Sequence, residues 1–113
     1  MEVFIIMDYH QLTKSQFEEI MDELLGKPVW LEVRTDTVSK HTFYDGFKFL
    51  SFVNGKYQFG NLEYNEEREY ENLMINKLDV LDIHRNPIAP SMGAEQVILS
   101  MVDFTEIFVE YNY

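Results

Sequence analysis

Cysteine is absent from this chain of 113 residues, and glycine is scarce. Without a thiol, the protein can form neither a disulfide nor a thiolate metal site, and it has no cysteine nucleophile. The five glycines stand at positions 26, 46, 55, 60 and 93, a spacing that matches no phosphate-binding loop. The Gly-x-Ser-x-Gly elbow of many serine hydrolases is also missing. Disulfide scaffolds, thiol enzymes and glycine-rich nucleotide sites are therefore excluded.

Basic residues are few as well. Nine lysines and arginines stand against twenty acids, which gives a formal net charge of -11 and a pI near 4.5. Proteins bind nucleic acid mainly through cations placed against phosphates, and a chain of this charge repels phosphates. We therefore predict no direct binding of nucleic acid.

Long apolar runs are missing too. The short run at residues 3–7 is flanked by Glu2 and Asp8. It has no basic front, and it is far shorter than the roughly 20 residues that cross a bilayer. We interpret it as an N-terminal strand, with Met7 as an alternative start of the chain. The sequence predicts a cytoplasmic protein without membrane contact.

The chain does contain enough apolar surface for a folded core. Hydrophobic residues make up 46% of it and aromatic residues 15%, whereas disordered chains are poor in both. Single domains most often have about 100–150 residues, so we predict one domain over residues 1–113.

One amphipathic helix is predicted after Thr13. Thr13 and Gln16 have the spacing of a capping box, and Gly26 followed by Pro28 ends the helix. The apolar stripe recurs at intervals of three and four and consists of Phe17, Ile20, Met21, Leu24 and Leu25.

The remaining chain has the alternation of strands. Strands are predicted at residues 29–34, 42–53, 56–62, 73–83 (with an irregular middle), 96–102 and 107–111, with a loop at 86–93. Gly46 predicts a bend in the long aromatic strand, at the centre of the core, and Asn54-Gly55 predicts a type I′ turn. The predicted fold is α+β, with an N-terminal helix followed by a strongly bent antiparallel sheet of about five strands, a small SH3- or Sm-like barrel. The alternative is an open α+β sheet with one packed helix.

Four features within residues 17–84 resemble the bacterial YolD-like proteins. They are the helix ending at Gly26, the strand at 29–33, the aromatic-glycine step at 43–46 and the segment at 78–83. The resemblance implies a helix followed by a small Sm-like barrel and a link to DNA-damage tolerance, and it supplies no catalytic residues. Sm-type RNA sites resemble loops with aromatic and basic side chains, but here Lys40, Lys77 and Arg85 are scattered among acids. We therefore do not expect RNA binding.

Catalytic groups are sparse. The histidines His10, His41 and His84 stand at predicted turns or strand ends. Strand alternation places Asp82 and His84 on one face and Asp79 on the other, so three metal ligands do not converge. Adjacent carboxylates in the polar run near residue 66 have nothing to desolvate them and tune their pKa values. We predict no enzyme, no catalytic residues, no metal and no cofactor.

The acidic charge is concentrated after residue 60. Residues 1–60 carry nine acids and six bases, net -3, and residues 61–113 carry eleven acids and three bases, net -8. The acids between residues 63 and 71 are interleaved with two tyrosines, and acids also alternate with aromatic residues around Phe104 and Phe108. The predicted partner-binding residues are Glu63, Tyr64, Glu66, Glu67, Glu69, Tyr70 and Glu71.

These residues predict a non-enzymatic interaction module that binds a basic protein surface. By analogy of composition, its role is that of a phage- or mobile-element-type inhibitor of a nucleic-acid-binding protein. An alternative explanation of the acids is solubility alone. The alternative function is a YolD-like or Sm-like accessory domain in nucleic-acid metabolism. It would act as a homo-oligomer through strand addition at residues 107–111.

Overall fold

The computed structural model describes residues 11–63, 72–89 and 93–112. Over these ranges the chain forms one α-helix and eight strands, and every strand pairing is antiparallel. The α+β class is confirmed, with more strands than the five or so predicted. The predicted strand at residues 3–7 lies outside the described residues. In chain order the elements are α1 (Lys14–Glu23), β1 (Val29–Arg34), β2 (Ser39–Tyr44), β3 (Phe47–Phe52), β4 (Lys56–Asn61), β5 (Leu73–Asn76), a 3-10 turn (Lys77–Asp79), β6 (Val80–Ala89), β7 (Ala94–Met101) and β8 (Glu106–Asn112).

The strands form two sheets that contribute to one core. The larger sheet has five strands in the order β2-β1-β8-β7-β6, and the smaller has three in the order β3-β4-β5. Within the described ranges neither sheet closes into a barrel, so the small barrel stays a prediction. Strand β8, which follows the other seven in the chain, lies at the centre of the larger sheet between β1 and β7.

Helix α1 begins at the predicted capping box. The Thr13 hydroxyl accepts a hydrogen bond from the Gln16 N–H at 3.1 Å, and the Gln16 side chain accepts one from the Thr13 N–H at 2.9 Å. Because these N–H groups have no partner inside the helix, the box stabilises the first turn. Beyond Glu23 the chain turns at Gly26, where the φ of 77° is one that glycine adopts without strain. In the described part of the chain, no helix has the length and apolarity needed to cross a membrane.

The core is aromatic where α1 packs on the smaller sheet. Phe17 of α1 is fully buried, and its ring centroid lies 5.5 Å from that of Phe49 and 5.4 Å from that of Tyr57, both edge-on. Phe59 lies 6.4 Å from the same ring. Four aromatic residues of the β3–β4 hairpin are buried in the core, as the sequence predicts, whereas their position at its centre stays a prediction: Phe47, Phe49, Tyr57 and Phe59. Buried residues from the larger sheet complete the core, among them Val29, Leu31, Val97, Leu99, Ile107 and Val109.

The long aromatic strand predicted at residues 42–53 is two strands. Strand β2 ends at Tyr44 and β3 begins at Phe47, and the two belong to different sheets. Between them, the Gly46 N–H donates to the Asn61 side chain at 3.0 Å, and the Gly46 carbonyl accepts from Leu62 at 2.5 Å. The predicted bend at Gly46 is confirmed, and it carries the chain from the larger sheet to the smaller one.

The β3–β4 turn is a three-residue loop, so the prediction of a type I′ turn is wrong. Phe52 pairs with Lys56, which leaves residues 53–55 in the loop. A type I′ turn needs a positive φ at both central residues, whereas Gly55 has a φ of 89° and Asn54 does not have a positive φ. The glycine therefore takes the left-handed position that ends a three-residue loop.

Strand β6 runs into the segment that was predicted as a loop at residues 86–93. It continues to Ala89, and its register with β7 shifts between Pro87 and Ala89. Prolines within sheets are found mainly in edge strands, and β6 is at an edge of the larger sheet among the strands described. The predicted strand at 73–83 is also two strands in different sheets, separated by the 3-10 turn Lys77–Asp79.

Candidate interaction surface

The larger sheet has one face on the core and one face away from it, which we call the outer face. Along β1, Val29 and Leu31 are buried in the core, while Trp30 between them is 43% exposed. Directly opposite residues on neighbouring strands share a face, so the register extends this assignment across the sheet. The outer face consists of Ser39, His41 and Phe43 on β2, Trp30, Glu32 and Arg34 on β1, Glu106, Phe108 and Glu110 on β8, Gln96, Ile98 and Ser100 on β7, and Asp82, His84 and Asn86 on β6.

An open groove of about 360 Å³ lies on the outer face around Trp30. Phe43 stands directly opposite Trp30 on β2, with ring centroids 5.1 Å apart. Glu110 stands opposite Trp30 on the other side, on β8. Three aromatic rings and two carboxylates therefore line the groove. Its lining consists of Trp30, Leu31, Glu32, His41, Thr42, Phe43, Gln96, Phe108 and Glu110.

A guanidinium already lies on this face, next to the groove. The central carbon of the Arg34 guanidinium is 4.4 Å from the centroid of the Phe108 ring. Two of its nitrogens, Nε and Nη2, lie 3.1 Å and 3.0 Å from Glu32 Oε2. The Ser39 hydroxyl donates to the same oxygen at 2.5 Å. This hydrogen bond and the charge of Arg34 outweigh partial burial and hold the pKa of Glu32 below its usual value.

The outer face is acidic. It carries four carboxylates against one arginine, a formal charge of -3 with the histidines neutral. The alternation of acids and aromatic residues near the C-terminus contributes to this, because Glu106, Phe108 and Glu110 share the outer face while Tyr111 points into the core. Such a face favours positively charged partners and repels phosphates. The four carboxylates are those of Glu32, Asp82, Glu106 and Glu110.

Asp82 and His84 share the outer face, as the alternation along the strand predicts. The His84 Nδ1 lies 3.0 Å from an oxygen of Asp82, and the Gln11 side chain donates to the other oxygen at 2.8 Å. Among the described residues no three histidine, aspartate or glutamate side chains form a group that could hold a metal. The absence of metal and cofactor stays a prediction.

An ionic cluster around the buried Glu95 lies on the opposite, inner face and was not predicted; the side chain of its Arg85 is 43% exposed. Arg85 donates to both oxygens of Glu95, from Nε at 2.8 Å and from Nη2 at 3.0 Å, and the Tyr111 hydroxyl also donates to Glu95. Burial raises the pKa of Glu95, but the hydrogen bonds from Arg85 and Tyr111 outweigh it, so the net pKa is lowered. Burial and the hydrogen bond to Glu95 raise the pKa of Tyr111. Because its groups are already paired, we interpret the cluster as a structural link between β6, β7 and β8.

The structure describes little of the acidic segment that the sequence singles out. Glu63 is exposed, two residues beyond the end of β4. The other six predicted partner-binding residues lie outside the described residues: Tyr64, Glu66, Glu67, Glu69, Tyr70 and Glu71.

The predicted route to oligomers needs a correction. Residues 107–111 were expected to offer a free strand edge, but they belong to β8, which is paired on both sides. A central strand has no unpaired backbone edge, so this segment cannot add to another chain as the structure stands. Among the strands that the structure describes, β2 and β6 are at the two edges of the larger sheet, and Gln11 forms a single bridge with His84 on the side of β6 away from β7.

Sequence reasoning did not identify the groove around Trp30. The alternation along β1 showed that Trp30 and Glu32 point away from Val29 and Leu31. It did not show that Glu110 of β8 would stand beside Trp30, because that pairing joins distant parts of the chain.

Comparison with protein-family models, curated proteins and solved structures finds no match to this chain.

Proposed function

We propose that the protein is a non-enzymatic interaction module that binds a basic protein surface through the outer face. The groove is the observation that supports this most, because the exposed Trp30 stands there between Phe43 and Glu110. Aromatic side chains supply much of the binding energy at the centres of protein interfaces. Carboxylates beside them favour a positively charged partner and speed its association.

The net charge of -11 suggests which kind of partner the outer face would meet. A nucleic-acid-binding protein presents a positively charged groove to phosphates, and an acidic face can occupy such a groove. We therefore propose a nucleic-acid-binding protein as the target. The role would be that of a phage- or mobile-element-type inhibitor. The acidic segment at residues 63–71 is the second proposed contact region.

Capture of the partner from the native host, followed by mass spectrometry at two salt concentrations, tests this function. The partner should be recovered less well at the higher salt concentration, because ions screen the attraction between exposed charges. Glu110→Lys should reduce recovery about tenfold, since it places a positive charge inside the groove. Glu23→Lys is the matched control, because it makes the same change on an exposed residue of α1 and should leave recovery unchanged.

The double variant Glu66→Lys/Glu67→Lys separates the two contact regions. If this variant recovers less of the partner and Glu110→Lys recovers as much as the parent protein, the contact lies in the acidic segment. If both variants recover the partner as well as the parent protein does, and unfold at the same temperature, the proposed function is wrong.

The alternative proposal is a YolD-like or Sm-like accessory domain with a small-barrel fold that acts as a homo-oligomer. One observation favours it, since β2 lies at an edge of the larger sheet and could pair with a strand of a second copy. Light scattering that gives one defined mass above that of the monomer would support it. A monomer at high micromolar concentration would contradict it.

A further inference from the structure

Two pairs of an aromatic residue and a glutamate stand side by side on the outer face. Glu32 of β1 is directly opposite Phe108 of β8, and two residues earlier Trp30 of β1 is directly opposite Glu110 of β8. The strands that supply the ring and the carboxylate are exchanged between the two pairs. Each pair nevertheless presents an aromatic ring and a carboxylate at opposite positions of the same two strands.

The first pair holds a guanidinium. Arg34 lies over the Phe108 ring at 4.4 Å while its Nε and Nη2 contact Glu32 at 3.1 Å and 3.0 Å. A planar guanidinium suits this arrangement, because its faces stack on a ring while its edges donate to a carboxylate. The outer face thus shows, within its own structure, which cation such a pair accommodates.

The second pair is open to solvent on the groove side. Trp30 is 43% exposed, and the groove beside it has a volume of about 360 Å³. Within the part of the chain that the structure describes, the Glu110 carboxylate has no hydrogen bond or ion pair. A cation that enters the groove would therefore contact an aromatic face and a carboxylate. This carboxylate would not first have to break another hydrogen bond or ion pair.

We infer that this groove binds an arginine side chain of the partner protein, stacked on Trp30 and paired with Glu110. The inference rests on the proposed function and specifies its partner. Arginine is favoured over lysine because its guanidinium is planar, weakly hydrated and able to stack, whereas an ammonium is compact and strongly hydrated. Tryptophan is also the aromatic side chain that attracts cations most strongly. The Gln96 side chain lines the groove beside Glu110 and offers a further acceptor.

Titration with two short peptides of equal charge tests the inference. One is an acetylated and amidated Gly-Arg-Gly-Arg-Gly, and the other carries lysine in place of arginine. Trp30 is the single tryptophan of the chain, so its indole N–H signal in an NMR spectrum reports directly on the groove. The arginine peptide should shift this signal and bind about tenfold more tightly than the lysine peptide, a difference of about 1.4 kcal/mol.

Two variants show whether the predicted groups are responsible. Glu110→Gln keeps the shape of the side chain and removes its charge, so it should weaken the arginine peptide about fivefold to tenfold. Glu23→Gln removes the same charge from an exposed position on α1 and should change nothing. Equal unfolding temperatures of the two variants would show that a loss of binding is not a loss of folding.

The outcomes separate this inference from the proposed function. If both peptides bind equally and Glu110→Gln weakens both, the preference for arginine is wrong while a cation-binding outer face stands. If neither peptide shifts the Trp30 signal but Glu110→Lys still reduces capture of the partner, the arginine contact is again wrong and the proposed function is retained. If Glu110→Lys also leaves capture unchanged, the groove is not the binding surface.

Discussion

Tyr111 donates a hydrogen bond to Glu95 from the directly opposite position on the neighbouring strand. Glu95 is the only buried charged side chain among the described residues, and Arg85 contacts both of its oxygens from β6. A carboxylate in the core is costly unless its oxygens are hydrogen-bonded, and here each oxygen has a donor. Three neighbouring strands of the larger sheet are thereby joined by side chains as well as by their backbones.

Replacing Glu95 with glutamine should lower the free energy of unfolding by about 2 kcal/mol near neutral pH. The substitution keeps the size of the side chain but removes the charge that Arg85 and Tyr111 stabilise. Chemical denaturation of the parent and of Glu95→Gln measures this difference. Glu23→Gln is the control, because Glu23 is exposed on α1 and its loss should cost almost nothing.

The destabilisation by Glu95→Gln should also depend on pH. The folded protein holds the pKa of Glu95 below the ordinary value of 4.5, so the charge stabilises the fold fully above that value. As the pH falls from 4.5 towards the lower pKa of the folded state, the parent loses this contribution. The difference between parent and variant should therefore shrink in acid. A difference that stays constant down to the acid range would contradict a charged Glu95.

Replacing Phe104 with glycine should make the folded protein more stable. The φ of Phe104 is 69°, a left-handed value that costs a bulky residue free energy, and its side chain is 90% exposed, so the ring buries little surface. We expect Phe104→Gly to raise the free energy of unfolding by about 0.5–1 kcal/mol. The backbone hydrogen bond from the Phe104 N–H to the Met101 carbonyl at 3.1 Å should persist in the variant.

Val102 provides the matched control for this experiment. It lies in the same β7–β8 turn and is also exposed, but its φ is not positive. Val102→Gly should therefore lower the free energy of unfolding by about 0.5–1 kcal/mol, because glycine adds backbone entropy to the unfolded chain. If both variants shift the free energy of unfolding in the same direction, backbone strain at Phe104 does not lower the stability of this turn.

Phe17→Ala should cost about 3–5 kcal/mol of unfolding free energy. The ring is fully buried among Phe49, Tyr57 and Phe59, so its removal leaves a cavity between α1 and the smaller sheet. Thermal and chemical unfolding should both report the loss. Leu25→Ala, which truncates a side chain that is 56% exposed, should change stability by less than about 0.5 kcal/mol.

Thr13→Ala should destabilise the protein by about 1 kcal/mol, because it removes the hydroxyl that accepts from the Gln16 N–H. In the Thr13→Ala variant, the backbone amide hydrogens in the first turn of α1 should exchange faster than those in the strands. Ser15→Ala is the control, since Ser15 lies inside the helix and is exposed. Equal effects of the two substitutions would mean that the capping box contributes nothing.

The sequence predicted those features that depend on neighbouring residues. The helix after Thr13 and the bend at Gly46 follow from residues within one or two turns of each other, and both are confirmed. The loop at Gly55 was predicted with the wrong geometry, since the register of β3 with β4 decides how many residues it contains. Local signals also could not show that the segments on either side of Gly46 enter different sheets.

The candidate site was harder to predict than the fold. The outer-face groove exists because β8 pairs with β1, which brings Glu110 beside Trp30. No local pattern encodes that pairing. The buried Glu95 left a weaker signal, since the alternation of Val97 and Leu99 places it on the core side, where an acid requires a partner. The charge pattern instead directed attention to residues 63–71, because runs of like charge are visible without any knowledge of pairing.

The central position of β8 has a consequence for how the protein folds. Strand β8 connects two hairpins of the larger sheet, β1 with β2 and β6 with β7, and without it these hairpins would not be paired with each other. Both would expose an unpaired edge that invites pairing with other chains. The smaller sheet, by contrast, is a simple meander of consecutive strands that can form together with α1. The pairing of Val29 with Tyr111 joins distant positions of the chain, and contacts of this kind slow folding, so we expect the larger sheet to form later than the smaller one.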